Sequence, residues 1–237
     1  MKLSYEYGTE LIEFEIVFRK RKSLSVEIEP PNKITVISPE GKTEQEILEV
    51  VKLKSKWIVQ KLFEIREIEY RKRIKQYVNG ESFIYLGRNY SLQIILDDEC
   101  TLPKAKLYRS RFYVTTNTKD EVVIKKSLED WYRDKARLKI QERIDYYQGY
   151  FDIEPRKVQI KNQQKRWGSC TKNNDLLFNW KCVMSPSPVL DYIVVHEMCH
   201  MIYKNHSNEF WQLVRRVLPD YEQRKNWLRD NGIKYDL

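Results

Sequence analysis

His196, Glu197, His200 and His206 are the residues whose types and spacing carry chemistry, and they fall within one segment, Asp191 to Trp211, DYIVVHEMCHMIYKNHSNEFW. The chain has only three histidines, and all three are here. Four apart on a helix, His196 and His200 lie one turn from each other on one face and can bite a single metal ion together. Glu197 completes an H-E-x-x-H pattern. In that arrangement two neutral imidazoles hold Zn²⁺ and the carboxylate takes a proton from a water bound to it, which is metal-assisted hydrolysis. The competing reading is a satisfied core pair on a buried helix.

The third histidine makes a geometric demand. One continuous helix from His200 to His206 turns by six steps of about 100°, which leaves His206 on the wrong side of the cylinder. The helix is therefore expected to stop between them. Asn205, a residue that tolerates left-handed backbone, is the expected stop, and Ser207 the expected cap of the next helix. His206 then swings back to complete a three-histidine site with a fourth position left for water.

The surrounding elements are read from periodicity. Residues 10 to 38 alternate as strands, and from Thr43 to about Tyr77 the period becomes helical, with Thr43 and Glu46 in capping-box spacing and a charged tail projecting into water. Asn79-Gly80 marks a turn before ESFIYLGRNYSLQIIL, a hairpin turning near Gly87 to Asn89, and further strand at KLYRSRFYVTT. A helix is predicted from Asp120 to Tyr147 with Val123, Leu128, Trp131, Ala136, Leu138 and Ile144 on its apolar stripe. Strands return at KVQIKN and at RWGSCTKNNDLLFNWKCV, turning at Lys172 to Asn174. Ser185-Pro186-Ser187-Pro188 supplies a cap and a first-turn proline for the histidine helix, which is apolar almost all round and therefore buried. Two short helices, 208–217 and 221–231, close the chain. The order argues for an α+β fold, with a β-rich N-terminal part carrying one long helix (1–119) and the metal domain in 120–237.

Composition agrees with an ordinary globular chain: 237 residues, 41% hydrophobic and 32% charged. No stretch reads as a membrane span, and acidic residues interrupt the apolar N-terminal part, so the expected location is the cytoplasm, with no membrane partner. Cys100, Cys170, Cys182 and Cys199 form no C-x-x-C pair, which points away from a zinc knuckle or a thioredoxin-type site. Cys199 is read as a packing residue. The formal charge of +9 permits association with nucleic acid, but the basic runs 19–22, 71–75 and 156–166 are short.

RWGSC (166–170), the FNW step (178–180), the DYIVVHEMCH helix, NHSNEFW, PDY (219–221) and a C-terminal NWL closely resemble the YgjP-like metallopeptidases. LGRNY, the WY at 131–132 and the opening RKRKSLSVEI extend the likeness over nearly the whole chain. The resemblance implies a zincin-like catalytic domain with one zinc ion on His196, His200 and His206, and Glu197 as catalytic acid/base. The histidine spacing is also similar to that of WLM-type proteases linked to DNA–protein crosslink repair and of SprT-like proteases. Metzincins place glycine where Tyr203 stands, so the chain must turn by another route here. Glu209, or Glu222 as in the glutamate-zincins, is the alternative third ligand.

The function expected is peptide-bond hydrolysis by a Glu197-activated, zinc-bound water. Tyr203, Tyr221 and Arg224 are candidates for stabilising the oxyanion. Trp167, Gly168, Ser169, Asn179 and Trp180 are candidates for the substrate cleft, with the strand around 176–180 expected to carry an extended peptide. Peptide or protein is thus the expected substrate. Two other functions remain on the sequence alone: a metal-dependent nuclease or DNA-associated protease, since zinc endoribonucleases of the YbeY kind share the histidine spacing, and a non-catalytic zinc-stabilised binding module.

Overall fold

The computed structural model describes residues 2–29, 32–67, 75–163, 166–232, 235 and 237. The chain divides by its contacts into two compact units, 1–72 and 73–237. The basic run at 71–75 and the charged tail expected beyond residue 67 lie almost wholly outside the described residues, Lys75 excepted.

In the first unit β1 (Lys2–Tyr7), β2 (Glu10–Arg19), β3 (Ser25–Glu29) and β4 (Lys33–Pro39) form a sheet ordered β1-β2-β4-β3, against which α1 (Glu44–Glu67) packs. Strand alternation puts Ile12, Phe14 and Ile16 of β2 on the face that meets Ile47, Val51 and Ile58 of α1. The capping box forms as its spacing predicts: Glu46 N–H donates to Thr43 Oγ1 at 3.3 Å, and Thr43 N–H donates to Glu46 Oε2 at 2.9 Å. Trp57, at a helical interval in sequence, faces outward instead, 47% exposed.

The second unit is built on α2 (Glu121–Tyr147), which starts where Asp120 accepts from Val122 N–H at 2.8 Å. Its buried stripe is Ile124, Leu128, Tyr132, Ala136, Ile140 and Ile144, whereas Leu138 is exposed. One side of α2 meets a four-stranded sheet, β5 (Ser82–Tyr85), β6 (Arg88–Leu96), β7 (Lys104–Tyr108) and β8 (Arg111–Thr116), ordered β5-β6-β8-β7. Phe83, Leu92 and Phe112 of that sheet share one core with α2 and with the histidine helix. This is why packing groups 82–116 with the metal-bearing part, where the sequence reading grouped them with the N-terminal strands. The β5–β6 turn falls at Leu86 and Gly87, both at positive φ.

A smaller sheet carries the functional region. β9 (Lys157–Lys161) runs parallel to β11 (Asp175–Asn179), and β10 (Gly168–Cys170) is antiparallel to β11 at the edge, giving the order β10-β11-β9. A 3₁₀ turn over Trp180–Met184 leads to α3 (Ser187–Ile202), followed by α4 (Asn208–Val217) and α5 (Tyr221–Asn231). Pro188 occupies the first turn of α3 as expected, but Ser185 does not cap it; its hydroxyl donates to the Cys182 carbonyl at 2.6 Å. The architecture is α+β. Among the described residues no helix is long and apolar enough to cross a membrane.

Candidate metal centre

α3 is buried on almost every side, through Leu190, Ile193, Val194, Val195, Met198, Cys199 and Met201. Apolar packing fixes its rotation, and that rotation sets where His196 and His200 point. The helix ends at Ile202. Tyr203 goes extended (φ −113°, ψ 108°), its N–H still donating to Cys199 C=O at 2.9 Å and its own carbonyl accepting from His200 Nδ1 at 2.9 Å. The stop is therefore Tyr203 and not Asn205, which keeps a negative φ. Lys204 then ties the loop to the β10–β11 turn through the carbonyl of Thr171 at 3.0 Å and the side chain of Asn174. Ser207 caps α4 as predicted, accepting from Phe210 N–H at 3.5 Å.

That reversal brings His206 back to the other two histidines. Its Nε2 lies 3.1 Å from His196 Nε2 and 3.2 Å from His200 Nε2. The three form the one group of metal-competent side chains found among the described residues. Glu209 and Glu222 lie outside it; Glu222 accepts instead from Arg215 at 2.9 Å and from Tyr221 Oη at 3.0 Å.

The site fits a metal ion on its own chemistry. A carbonyl only accepts, so the bond to Tyr203 puts the His200 proton on Nδ1 and leaves Nε2 as a bare lone pair. Nitrogens sharing a tetrahedral ion at about 2.0–2.1 Å stand roughly 3.3 Å apart, close to the separations seen. Burial drives the His196 pKa down to about 3, with His200, His206 and Lys225 adding in the same direction, and desolvation also lowers His206. Both shifts favour the neutral imidazole, the form that binds metal. Aromatic packing holds them: Phe210 stacks on His200 (centroids 4.5 Å, 28°) and Trp211 on His206 (5.5 Å, 18°), with Tyr221 stacked on Trp211 in turn (5.4 Å, 22°).

Glu197 is only 6% exposed, and its Oε2 has no hydrogen-bond partner among the described residues. Burial raises its pKa to about 8, against a small opposing pull from Arg166. Gly168 of β10 lies directly against it: a Cβ there would stand 2.6 Å from Glu197 Cγ and 2.8 Å from Oε1. Gly168→Ala should therefore displace the carboxylate and abolish turnover while leaving the histidines in place, at a stability cost of about 1–3 kcal/mol. Undiminished cleavage by that variant would show that the close approach has no catalytic meaning.

The two titrations pull apo stability in opposite directions. His196 is lowered on folding, so the unfolded chain binds more protons as pH falls below 6.5, and stability drops toward pH 3. Glu197 is raised, so the folded chain holds its proton longer, and stability drops as pH rises from 4.5 through 8. Metal-free protein should thus melt highest between about pH 4.5 and 6.5. Metal-free Glu197→Gln should out-melt the metal-free parent at pH 8, a comparison that thermal scans settle.

The remaining candidates separate. Gly168 lies beside Glu197, and Trp167 and Ser169 flank it at the sheet edge, with Ser169 Oγ accepting from Gln163 at 3.2 Å. Asn179 and Trp180 do not face a cleft. Asn179 is 5% exposed and spends its amide on the carbonyls of Gln163 (2.7 Å) and Arg166 (3.3 Å), while Trp180 is buried beside Tyr132. β11 is paired on both edges, so the edge strands of this sheet are β10 and β9 and not the 176–180 stretch; β10 is the edge that lies against Glu197. Arg224 is occupied by Asp220 (2.9 Å) and the Pro188 carbonyl (2.9 Å), and Tyr221 by Glu222. Of the three oxyanion candidates, Tyr203 contributes its carbonyl to His200.

Sequence reasoning passed over Tyr192, whose hydroxyl lies 3.5 Å from His196 Nδ1, and the Phe210, Trp211 and Lys225 layer beneath the rings. Tyr192 sits four residues before His196, a spacing that could have flagged it. Cys199 is buried, its thiol pushed up to about 12 by desolvation, in keeping with a packing role.

A histidine triad, two members on a buried helix with a buried glutamate between them in sequence and the third on the reversal that follows, is the centre of a metal-dependent hydrolase. The chain belongs to the YgjP-like family: the family's metallopeptidase domain matches residues 22–231. It is a metallopeptidase. No curated protein matches it. Among solved structures, the metallopeptidase zymogen abylysin of Pyrococcus abyssi is 21% identical, covering 38% of this chain and 89% of its own at a TM-score of 0.33. The zymogen jannalysin of Methanocaldococcus jannaschii is 18% identical, covering 41% and 96% at a TM-score of 0.34.

Proposed function

We propose that the chain is a zinc-dependent peptidase in which His196, His200 and His206 hold the ion and Glu197 is the general base and acid. The observation that carries this reading is the approach of His206 Nε2 to within 3.1–3.2 Å of both other Nε2 atoms, with the residue after His196 a buried glutamate whose Oε2 has no hydrogen-bond partner among the described residues. Three imidazoles suit zinc better than the hard cations, which prefer oxygen. When bound, zinc supplies a Lewis acid that acidifies water and polarises the scissile carbonyl.

Glu197 accepts the proton of the attacking water at Oε2 and returns it to the leaving amine. Its burial suits both halves of this task, because a carboxylate with a raised pKa is a stronger base and holds the proton until the amine needs it. Gly168 keeps the main chain of β10 close enough for a peptide laid along that edge to present its carbonyl beside Glu197. Trp167 and Ser169 border the same edge. The four free cysteines suit the reducing cytoplasm as the place of action.

The test is cleavage of a proteome-derived peptide library by purified protein. Cleavage should vanish with a zinc chelator and return with added Zn²⁺. Cleavage that persists after verified metal removal would overturn the proposal.

A further inference from the structure

We infer that the outer face of the β5–β8 sheet is a binding platform for single-stranded nucleic acid. Alternation divides these strands between two faces. Ala105 and Leu107 of β7 and Phe112 and Val114 of β8 turn toward the core, which leaves Lys104, Lys106, Tyr108, Arg111 and Tyr113 on the other side. The register sets them side by side: Lys106 faces Tyr113 and Tyr108 faces Arg111 across the β7–β8 pair. Ser91 and Gln93 of β6 continue the two rows.

Three features of this face bear on what it binds. First, strands β5 to β8 contain no aspartate or glutamate, although the chain has 34. Acids flank the sheet at both ends: Glu81 directly before β5, its carboxylate accepting from Tyr77 N–H at 2.6 Å, and Asp97 to Glu99 directly after β6, at the end nearest Lys104. Second, the exposed cations of α2 are largely paired, as Lys126 is with Asp130, Arg137 with Asp134 and Lys139 with Glu142. Lys104, Lys106, Arg109 and Arg111 have no ion-pair partner among the described residues. Third, the cations lie over aromatic rings: Lys106 Nζ is 5.8 Å from the Tyr113 centroid and the Arg109 guanidinium 5.2 Å from that of Tyr108.

Lysines on an edge strand have a simpler use, since they discourage pairing with other chains. That use accounts for Lys104 and Lys106 on β7. It does not account for Arg111 and Tyr113 on β8, an interior strand, or for Tyr108 standing 53% exposed. Unpaired cations alternating with tyrosine rings match a ligand that is polyanionic and carries flat bases, with phosphates on the cations and bases on the tyrosines. A duplex hides its bases and offers only the first of these contacts.

The experiment is fluorescence anisotropy with a labelled thymidine 20-mer and a duplex of the same length, which requires neither metal nor cleavage and so stands or falls separately from the peptidase reading. The single strand should bind more tightly than the duplex, with a log–log salt slope of about −2 to −3 from three or four displaced counterions. Lys106→Glu/Arg111→Glu should weaken binding at least about tenfold and Tyr108→Ala about fivefold or more, while Tyr108→Phe retains it. Lys119→Glu/Lys125→Glu makes the same charge change elsewhere and should leave affinity unaltered. Equal weakening by both charge reversals, equal affinity for the duplex, or indifference to Tyr108→Ala in folded protein would each overturn the inference.

Discussion

Glu197→Gln is expected to bind zinc as well as the parent protein and to cleave peptides about 10²–10⁴-fold more slowly. The amide keeps the size and seat of the carboxyl against Gly168 but takes no proton from water. Since Glu197 is not among the three converging side chains, the metal should remain on the histidines. Metal analysis beside kcat separates the outcomes. Retained zinc with lost turnover assigns Glu197 to the chemistry, whereas turnover close to that of the parent removes it from the mechanism.

His206→Ala should have the larger effect on the metal itself. It removes one of three donors, so zinc affinity should fall by more than the roughly 10–100-fold that loss of an outer hydrogen-bond partner costs, and activity should fall with it. Glu209→Gln and Glu222→Gln are the matched comparisons, because those were the alternative third ligands on the sequence. Neither should shift zinc affinity, since Glu222 is held by Arg215 and Tyr221 and Glu209 lies in the first turn of α4. A loss of zinc in either glutamine variant with His206→Ala unaffected would reassign the ligand.

The pair on α3 was readable because helical spacing alone decides that residues four apart share a face. His206 was readable as a demand, since no continuous helix could bring it round. How the chain meets that demand was not readable. The break is set by the His200 ring donating to the carbonyl of Tyr203, a contact between residues three apart that no propensity for asparagine or glycine marks. Tyrosine serves because the backbone there is extended rather than left-handed.

Side chains away from the helix were harder for a different reason. Asn179 and Trp180 look like cleft residues in sequence, yet both are consumed by the strand-to-3₁₀ corner they build. Arg224 looks available until α5 packs against the start of α3 and the Pro188 carbonyl takes it. The edge position of β10 depends on β9 pairing with β11 across an intervening strand, a non-local choice that alternation does not encode. The same holds for the grouping of β5–β8 with α2, since only the shared burial of Phe83, Leu92 and Phe112 reveals it.

Zinc K-edge absorption on protein loaded with one equivalent of Zn²⁺ tests the central claim most directly. The spectrum should fit three imidazole nitrogens at about 2.0–2.1 Å and one light, exchangeable oxygen donor. A sulfur shell, a fourth protein ligand or fewer than three imidazoles would contradict the account.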